Sequence, residues 1–579
     1  MTPTKTSSCP TTSSGESNSL SKVILPWVAA ALACAPLGVQ AAPLKPDPAR
    51  LSIDVKLLAS DAFEGREPGT RAENRTVMFI IDRMQEAGLQ PGGALAAGKR
   101  SWTQDVPLAK FTFNGPLNMT LTVGGHPHQL IQGQQVAIRA AQTNVEQLSL
   151  QNAPLVFVGY GVHAPERNWD DFKGLDLHGK LAVVLVNDPD FETGKGDFGG
   201  KAMTYYGRWT YKYEEAARRG ALGVLIVHET APAAYGWATV VNSNTDAVYD
   251  IVRTDPAQAH VPMEGWIQRD VMEALFKQVG LDFEASKKLA QTHDFKPVPL
   301  PGVTFSAAGR VSHQIVVSKN VLGRLPGSTK PEETLIFTAH WDHFGVRPSD
   351  SSGDRILNGA VDNGTGVAAL LELGRLFGSA PKTARSIVFM ATTAEERGLL
   401  GSEYYATHPI YPLETTVADI NMDILGVYGP TRDVSDFGDG QNTLLTDLMQ
   451  AAQAQGRRCT PDPSPEAGHF FRSDHFSLAK RGVPSMSFTS GDDLVNGGVA
   501  AGRTRREDYY AHRYHQPGDE WTPAMDFHGE AQDVALLHSL GKKLATSGWP
   551  QWNAGSEFKE IRDQSAGQRQ GDGTAVTTP

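Results

Sequence analysis

Cysteine is nearly absent: Cys9, Cys34 and Cys459 are the only three in 579 residues. Removal of an N-terminal leader would leave Cys459 alone, which excludes an intrachain disulfide framework and makes a passive thiol the ordinary reading of that residue. Long apolar runs are also lacking. The best stretch, Val23–Ala35, falls short of the ~20 residues that a membrane-spanning helix needs. Lys22 before it and Val39-Gln40-Ala41 after it are the pattern of a secretory leader, so the chain is expected to be exported to the periplasm or the medium, with no stable membrane insertion after cleavage. Ala31-Leu32-Ala33-Cys34 leaves a lipid anchor on Cys34 as a minor alternative. Positive charge is in deficit, with 53 Lys and Arg against 64 Asp and Glu and a net charge of -11. That balance argues against nucleic acid as a partner, because phosphate binding needs clustered cations. It carries no information on oligomeric state.

The hydrophobic content of 40% and charged content of 20% are those of a globular protein with a substantial core. Over 50–94 the chain reads as a helix pair, with Val77, Ile80, Ile81 and Met84 at i, i+3, i+4, i+7 and Gly88 as a stop. Asp61–Thr70 between them reads as a polar loop. Met119, Leu121 and Val123 alternate before Gly124-Gly125, as in an antiparallel hairpin. From about 150 to 300, short apolar runs (Leu155–Val158, Lys180–Val186, Val224–Val227) surround a helical Glu214–Arg219. This block has no nucleophile or ligand cluster, and it reads as an inserted domain. Beyond 310, strands at Thr334–Ala339, Ser386–Thr392, Val417–Met422 and Pro484–Thr489 alternate with helical segments such as Gly366–Phe377. Alternation of this kind predicts an α/β fold, with a mixed, mostly parallel central sheet covered by helices on both faces. The polar stretch from 551 reads as disordered. The expected boundaries are 1–41 leader, 42–148 first part of the main domain, 149–305 insert, 306–550 remainder of the main domain and 551–579 tail.

Five residues then stand out as metal ligands: His340, Asp362, Glu396, Asp423 and His515. Two imidazoles and three carboxylates are the donor set for two ions about 3.5–4 Å apart, each with two private ligands and one shared carboxylate. His340, the pair Glu395-Glu396 and Asp423 each follow a predicted strand, where open α/β sheets carry their chemistry. Asp362 precedes a helix in Asp362-Asn363-Gly364.

Each residue also has an ordinary reading. A lone histidine after a strand is usually a hydrogen-bonded one, but Asp342, at i+2 in an extended segment, points to the same side as His340 and can orient its far nitrogen. Asp-Asn-Gly can be no more than a helix cap and turn. Two glutamates can be a solvated pair at a helix start. Adjacent carboxylates leave the backbone in different directions, however, so Glu396 can ligate while Glu395 faces a water as general base. Asp423 ends an apolar strand, and a buried acid needs a partner such as a cation. His515 lies in a turn-rich loop, and His469, His475, His512 and His528 compete with it. Spacing alone does not decide among them.

The motifs TAHWDHFG, GAVDNGTGVAALLELGR, TAEERGLLGS, NMDILG and YHQPGDEW, in that order, resemble the co-catalytic dizinc exopeptidases of the bacterial leucyl aminopeptidase type, over about 50–550. The inserted block resembles a protease-associated domain in Gly159-Tyr160-Gly161, Asp176–Lys180 and Ala216–Val227. The resemblance implies that Asp362 bridges two Zn2+ ions. His340 and Asp423 complete one site, and Glu396 and His515 the other. Glu395 is implied as the general base, Asp342 as the acid that orients His340, and Tyr514 as a group polarising the substrate carbonyl. Some members carry a disulfide near the active site, which a lone Cys459 does not allow.

The expected function is hydrolysis of N-terminal residues from peptides with a free N-terminus. Alternatives are a single-zinc glutaminyl cyclase on the same scaffold, a carboxypeptidase of related design, and a binding protein on an inactive scaffold. The last is disfavoured because no ligand is missing.

Overall fold

The computed structural model describes residues 44–347, 353–437 and 441–569. The expected leader with Cys34, and the end of the expected tail from 570, lie outside the described residues. The strands Lys330–His340, Arg385–Thr392 and Thr416–Asn421 are buried along most or all of their length, as parallel strands covered on both faces must be. Lys330–His340 lies between the other two and parallel to both, and Thr416–Asn421 is parallel to Ser485–Ser490. Beyond Arg385–Thr392 the sheet continues antiparallel through Val298–Leu325, Thr103–Phe113 and Val248–Ile251.

Alternate side chains of these strands point to opposite faces. Leu335, Phe337, Ile387 and Phe389 pack on one side against the helices Pro48–Leu58, Arg71–Glu86, Gly366–Gly378 and His528–Leu544. Ile336, Val388 and Met390 pack on the other against Tyr405, Tyr411 and Leu478. Val77, Ile80, Ile81 and Met84 form the buried stripe of Arg71–Glu86. The fold is therefore α/β, with a mixed, mostly parallel central sheet between helical layers.

A second sheet has its own parallel strands: Gln147–Phe157, Leu181–Leu185, Gly223–His228 and Met263–Gln268. The hairpin Asn118–Val123 with His126–Leu130 belongs to it as well. The strand Val298–Leu325 is shared. Its first part pairs in the second sheet and its last part in the central one. The second unit thus starts near Asn118 rather than at 149, and the chain leaves it without a linker at 305. An alternating strand looks alike in either sheet, and only its pairing partner assigns it.

Two further expectations are corrected. Asp61–Thr70 is not simply a polar loop, since Asp61–Arg66 forms a tight turn and Arg66 is fully buried. The stretch from 551 is ordered through 569. Trp552 and Phe558 are buried against Phe470, Phe471 and Phe476, and Arg562, in the helix Lys559–Gln564, donates to the carbonyls of Leu413 and Thr416. The segment has few apolar residues, but two are large aromatics, enough to anchor it. No helix among the described residues is long and apolar enough to cross a membrane.

Glu530, on His528–Leu544, is fully buried and neither carboxyl oxygen has a hydrogen-bond partner. Burial, reinforced by Asp533, Asp54 and Glu372, raises its pKa well above the ordinary glutamate value. The folded state therefore holds a proton that the unfolded chain releases, and stability falls as pH rises above about 4.5 toward the folded value. Glu530→Gln is expected to remove that decline and raise Tm by about 1–3 °C at pH 8. The gain should vanish near pH 4 in a thermal-melt series.

Candidate active site

His340 ends the strand Lys330–His340, and its Nε2 lies 3.3 Å from Asp362 Oδ1 and 3.3 Å from Asp423 Oδ1. His515 Nε2 lies 3.1 Å from Asp362 Oδ2 and 3.2 Å from Glu396 Oε2. The Asp362 carboxylate therefore turns one oxygen to each imidazole. Glu395 lies beside them, with Oε2 3.9 Å from His340 Nε2. All six side chains come together, although they reach the site from five separate segments of the chain. Of the competing histidines, His475 is fully buried against Phe470 outside the cluster. The exposed His512 and His528 pair with Asp508 and Asp526, and His469 lies between Phe437, tilted against it, and Tyr510, stacked on it.

Four devices converge on Asp362. Val361 and Asp362 donate their N–H groups to the Asp519 carboxylate, at 3.0 Å each, which ties the Asp362 turn to the loop of His515. Asn363 donates to the Met422 carbonyl at 2.9 Å and accepts from Gly366 N–H at 2.9 Å, linking the start of the helix Gly366–Gly378 to Asp423. Arg66 donates to the carbonyls of Leu58, Trp341, Asn358 and Gly359 at 2.6–2.9 Å, joining the Asp362 and His340 turns from beneath. Gly359 is left-handed at φ +59, and a Cβ there would lie 2.3 Å from the Asp362 carbonyl oxygen. Only glycine fits that turn. Ala394, Ile424 and His515 are also left-handed, at φ 53, 56 and 57. That conformation costs side-chain-bearing residues of order 1–3 kcal/mol and clusters at functional sites.

Asp342 acts differently from the sequence expectation. Its backbone carbonyl, not its carboxylate, lies 3.2 Å from His340 Nδ1, while the nearer carboxylate oxygen is 3.8 Å away. The carboxylate instead accepts the N–H groups of Glu395 at 3.0 Å and Glu396 at 3.4 Å. A residue at i+2 does face the same side, but the chain turns after His340, and the free N–H groups at the neighbouring strand exit are better donors. The Tyr514 ring lies flat on His515, with centroids 3.7 Å apart.

His343 escaped the sequence reading. It is fully buried and its Nδ1 lies 2.6 Å from Glu396 Oε1, against the oxygen of Glu396 that does not face His515, although the contact lacks the angle of a hydrogen bond and both ring nitrogens are without a hydrogen-bond partner among the described residues. The signal was present in TAHWDHFG, three residues after His340, but i+3 has no fixed direction at a strand exit. Arg66 and Asp519 were likewise missed, although Asp519 closes the quoted YHQPGDEW motif.

The charges are interdependent. Burial would depress both imidazoliums, but Glu395 and Asp423 raise His340 well above the ordinary value, and Glu396 and Asp362 bring His515 to about 10. Burial works against the charge of Asp362 and Glu396 too. The hydrogen bonds from His340 and His515 hold Asp362 well below the usual range, and His515 and His343 hold Glu396 at about 2. Burial, with Glu396 and Asp423, pushes Glu395 well above it. Burial also raises Asp342 to about 7. The donors themselves suit a divalent metal. His340, Asp362 and Asp423 offer donor atoms within 4.8 Å of one another, as do His343, Asp362 and Glu396. The protons that bind these imidazoles to carboxylates occupy positions a divalent cation can take.

Residues 320–536, which span every donor above, match the model of Peptidase family M28. Aminopeptidase YwaD of Bacillus subtilis is 26% identical over 438 residues, covering 75% of this chain and 74% of that protein. A probable zinc metalloprotease of Pyricularia oryzae is 32% identical over 129 residues, 22% of this chain and 25% of that protein. Among solved structures, an aminopeptidase from Aneurinibacillus sp. strain AM-1 aligns over 87% of this chain and 95% of that one, with 19% identity and a TM-score of 0.48. With the match to peptidase family M28 spanning the whole donor cluster and a relative aligned across three quarters of the chain, the protein is a metallo-exopeptidase whose residues 320–536 are similar to that family.

Proposed function

We propose that the protein is a zinc aminopeptidase that removes N-terminal residues from peptides at a two-ion centre, with Glu395 as general base. The observation that carries this reading is the division of the Asp362 carboxylate between His340 and His515, at 3.3 Å and 3.1 Å. His340 with Asp423 would hold one ion and His515 with Glu396 the other, Asp362 serving both. Bound zinc supplies Lewis-acid polarisation of the scissile carbonyl and brings the pKa of a water close to neutral. The chain's own groups do the rest. Glu395 takes the proton of the attacking water and returns it to the departing amine. Asp342 fixes the backbone from which Glu395 and Glu396 project, through their N–H groups. Tyr514 steadies His515 by stacking and directs its hydroxyl toward the substrate carbonyl. The second sheet is read as a protease-associated domain flanking the cleft, and residues 1–41 as the leader that exports the chain. Activities named for the relatives, aminopeptidase and zinc metalloprotease, agree with this reading.

The test is metal analysis of protein purified without chelator, combined with hydrolysis of free and N-acetylated leucyl peptides. Two zincs per chain and cleavage confined to free N-termini are expected. Cleavage of N-acetylated peptides from a free C-terminus would replace the aminopeptidase reading with a carboxypeptidase. One zinc with cyclisation of N-terminal Gln and no hydrolysis would replace it with a cyclase.

A further inference from the structure

His343 follows His340 by three residues at the exit of the strand Lys330–His340, and the five donors assigned above give it no role. Its side chain has no exposed surface, and neither ring nitrogen has a hydrogen-bond partner among the described residues. Buried polar groups are almost always paired, so an orphaned imidazole points to an ion or a ligand that completes it.

The ring is held toward the centre. Gly359 packs against it so closely that a Cβ there would lie 2.7 Å from His343 Cγ. Phe344 meets it edge-on, with centroids 5.2 Å apart. The His343 backbone N–H donates to the Arg66 carbonyl at 3.4 Å, which ties the turn carrying the ring to the arginine that joins the His340 and Asp362 turns. Nδ1 thereby lies 2.6 Å from Glu396 Oε1, but off the line that an N–H···O bond requires. Two ligands of one ion stand in that relation, close together with their lone pairs aimed at a third point rather than at each other.

Donor atoms of His343, Asp362 and Glu396 lie within 4.8 Å of one another. The same two carboxylates face His515, at 3.1 Å and 3.2 Å. Two imidazoles bound at about 2.0–2.1 Å to one tetrahedral ion put their ring centres roughly 5 Å apart, and those of His343 and His515 are 6.0 Å apart. The two halves of the centre are therefore unequal. The other half has His340, Asp362 and Asp423, with Glu395 3.9 Å from His340 Nε2.

We propose that His343 is a further zinc ligand, which completes with Asp362, Glu396 and His515 a four-donor site for one ion, while the half at His340 keeps three protein donors and an open position. The inference rests on the two-ion reading of the site. Zinc with four protein donors is closed, and zinc with three admits water or substrate. Water and substrate then enter on the His340 side, next to Glu395, and the His515 side is the firmer metal site.

The test loads the full chain with cobalt(II) and counts the exchangeable, paramagnetically shifted imidazole N–H signals by proton NMR, with metal content measured on the same sample. Three signals are expected in the wild type and two in His343→Gln. Two in the wild type, or three in the variant, overturn the proposal. Should His343→Gln not fold, His343→Cys, which keeps a metal donor, is read by the same count. Graded chelation of the zinc form should release the two ions of the wild type at chelator concentrations about 100-fold apart, and the gap should close in the variant. Release of both ions together from the wild type overturns the inequality of the two halves. Metal content tests the two-ion reading separately. If one ion binds per chain that reading fails, and the signal count still decides the ligand, loss of one signal in His343→Gln supporting it and an unchanged count refuting it.

Discussion

Asp362→Asn is expected to lower kcat/KM by a factor on the order of 10³–10⁴, equivalent to several kcal/mol of transition-state stabilisation, and to reduce bound zinc from the two per chain proposed above to one or none. The two carboxylate oxygens address different imidazoles, at 3.3 Å and 3.1 Å. An amide keeps the size and one acceptor oxygen but presents an NH2 group to the other position, so one ion loses its shared ligand outright. The backbone of the turn is held by Asp519 and Asn363 rather than by the Asp362 side chain, so the variant should fold. Metal analysis after dialysis, with circular dichroism as the control for folding, checks the outcome. Retention of two zincs with near-normal turnover would remove Asp362 from the bridging role.

Glu395→Gln is expected to lower kcat by about 10²–10⁴, the usual contribution of a positioned general base, with zinc content unchanged. The two effects separate because Glu395 and Glu396 are adjacent but differently engaged. Glu396 lies between His515 and His343, at 3.2 Å and 2.6 Å, while Glu395 comes no nearer than 3.9 Å to an imidazole. Asp342 accepts both backbone N–H groups, so the substitution leaves their frame intact. The signature is a fall in kcat with KM nearly preserved, because the base acts in the transition state. Full zinc with full activity in Glu395→Gln would sink the base assignment, and loss of zinc would make Glu395 a ligand.

The sheet was legible because its parallel strands carry continuous apolar runs and its helices a regular apolar stripe. Thr334–Ala339 falls within the observed Lys330–His340, and the expected helix Gly366–Phe377 within Gly366–Gly378. The strand exits at His340, Glu395-Glu396 and Asp423 followed from the same runs. His515 was not accessible to periodicity, since its loop has none. The ordered motif pattern selected it, and its Nε2 lies 3.1 Å from Asp362 Oδ2. The expected limits of the insert missed Asn118–Val123, and the expected disorder from 551 missed Trp552 and Phe558, because both depend on which distant surface the residues meet.

Local chemistry along the chain determined which residues can donate to a cation and which strands deliver them, since donor type and apolar period are properties of short segments. Their partners were decided by tertiary structure alone. Asp342 serves two glutamate amides rather than the histidine beside it, Arg66 holds together the His340 and Asp362 turns, and His343 is buried against Glu396. Each depends on which groups meet across hundreds of residues once water is excluded, and on the demand that every buried polar group find a partner or a ligand.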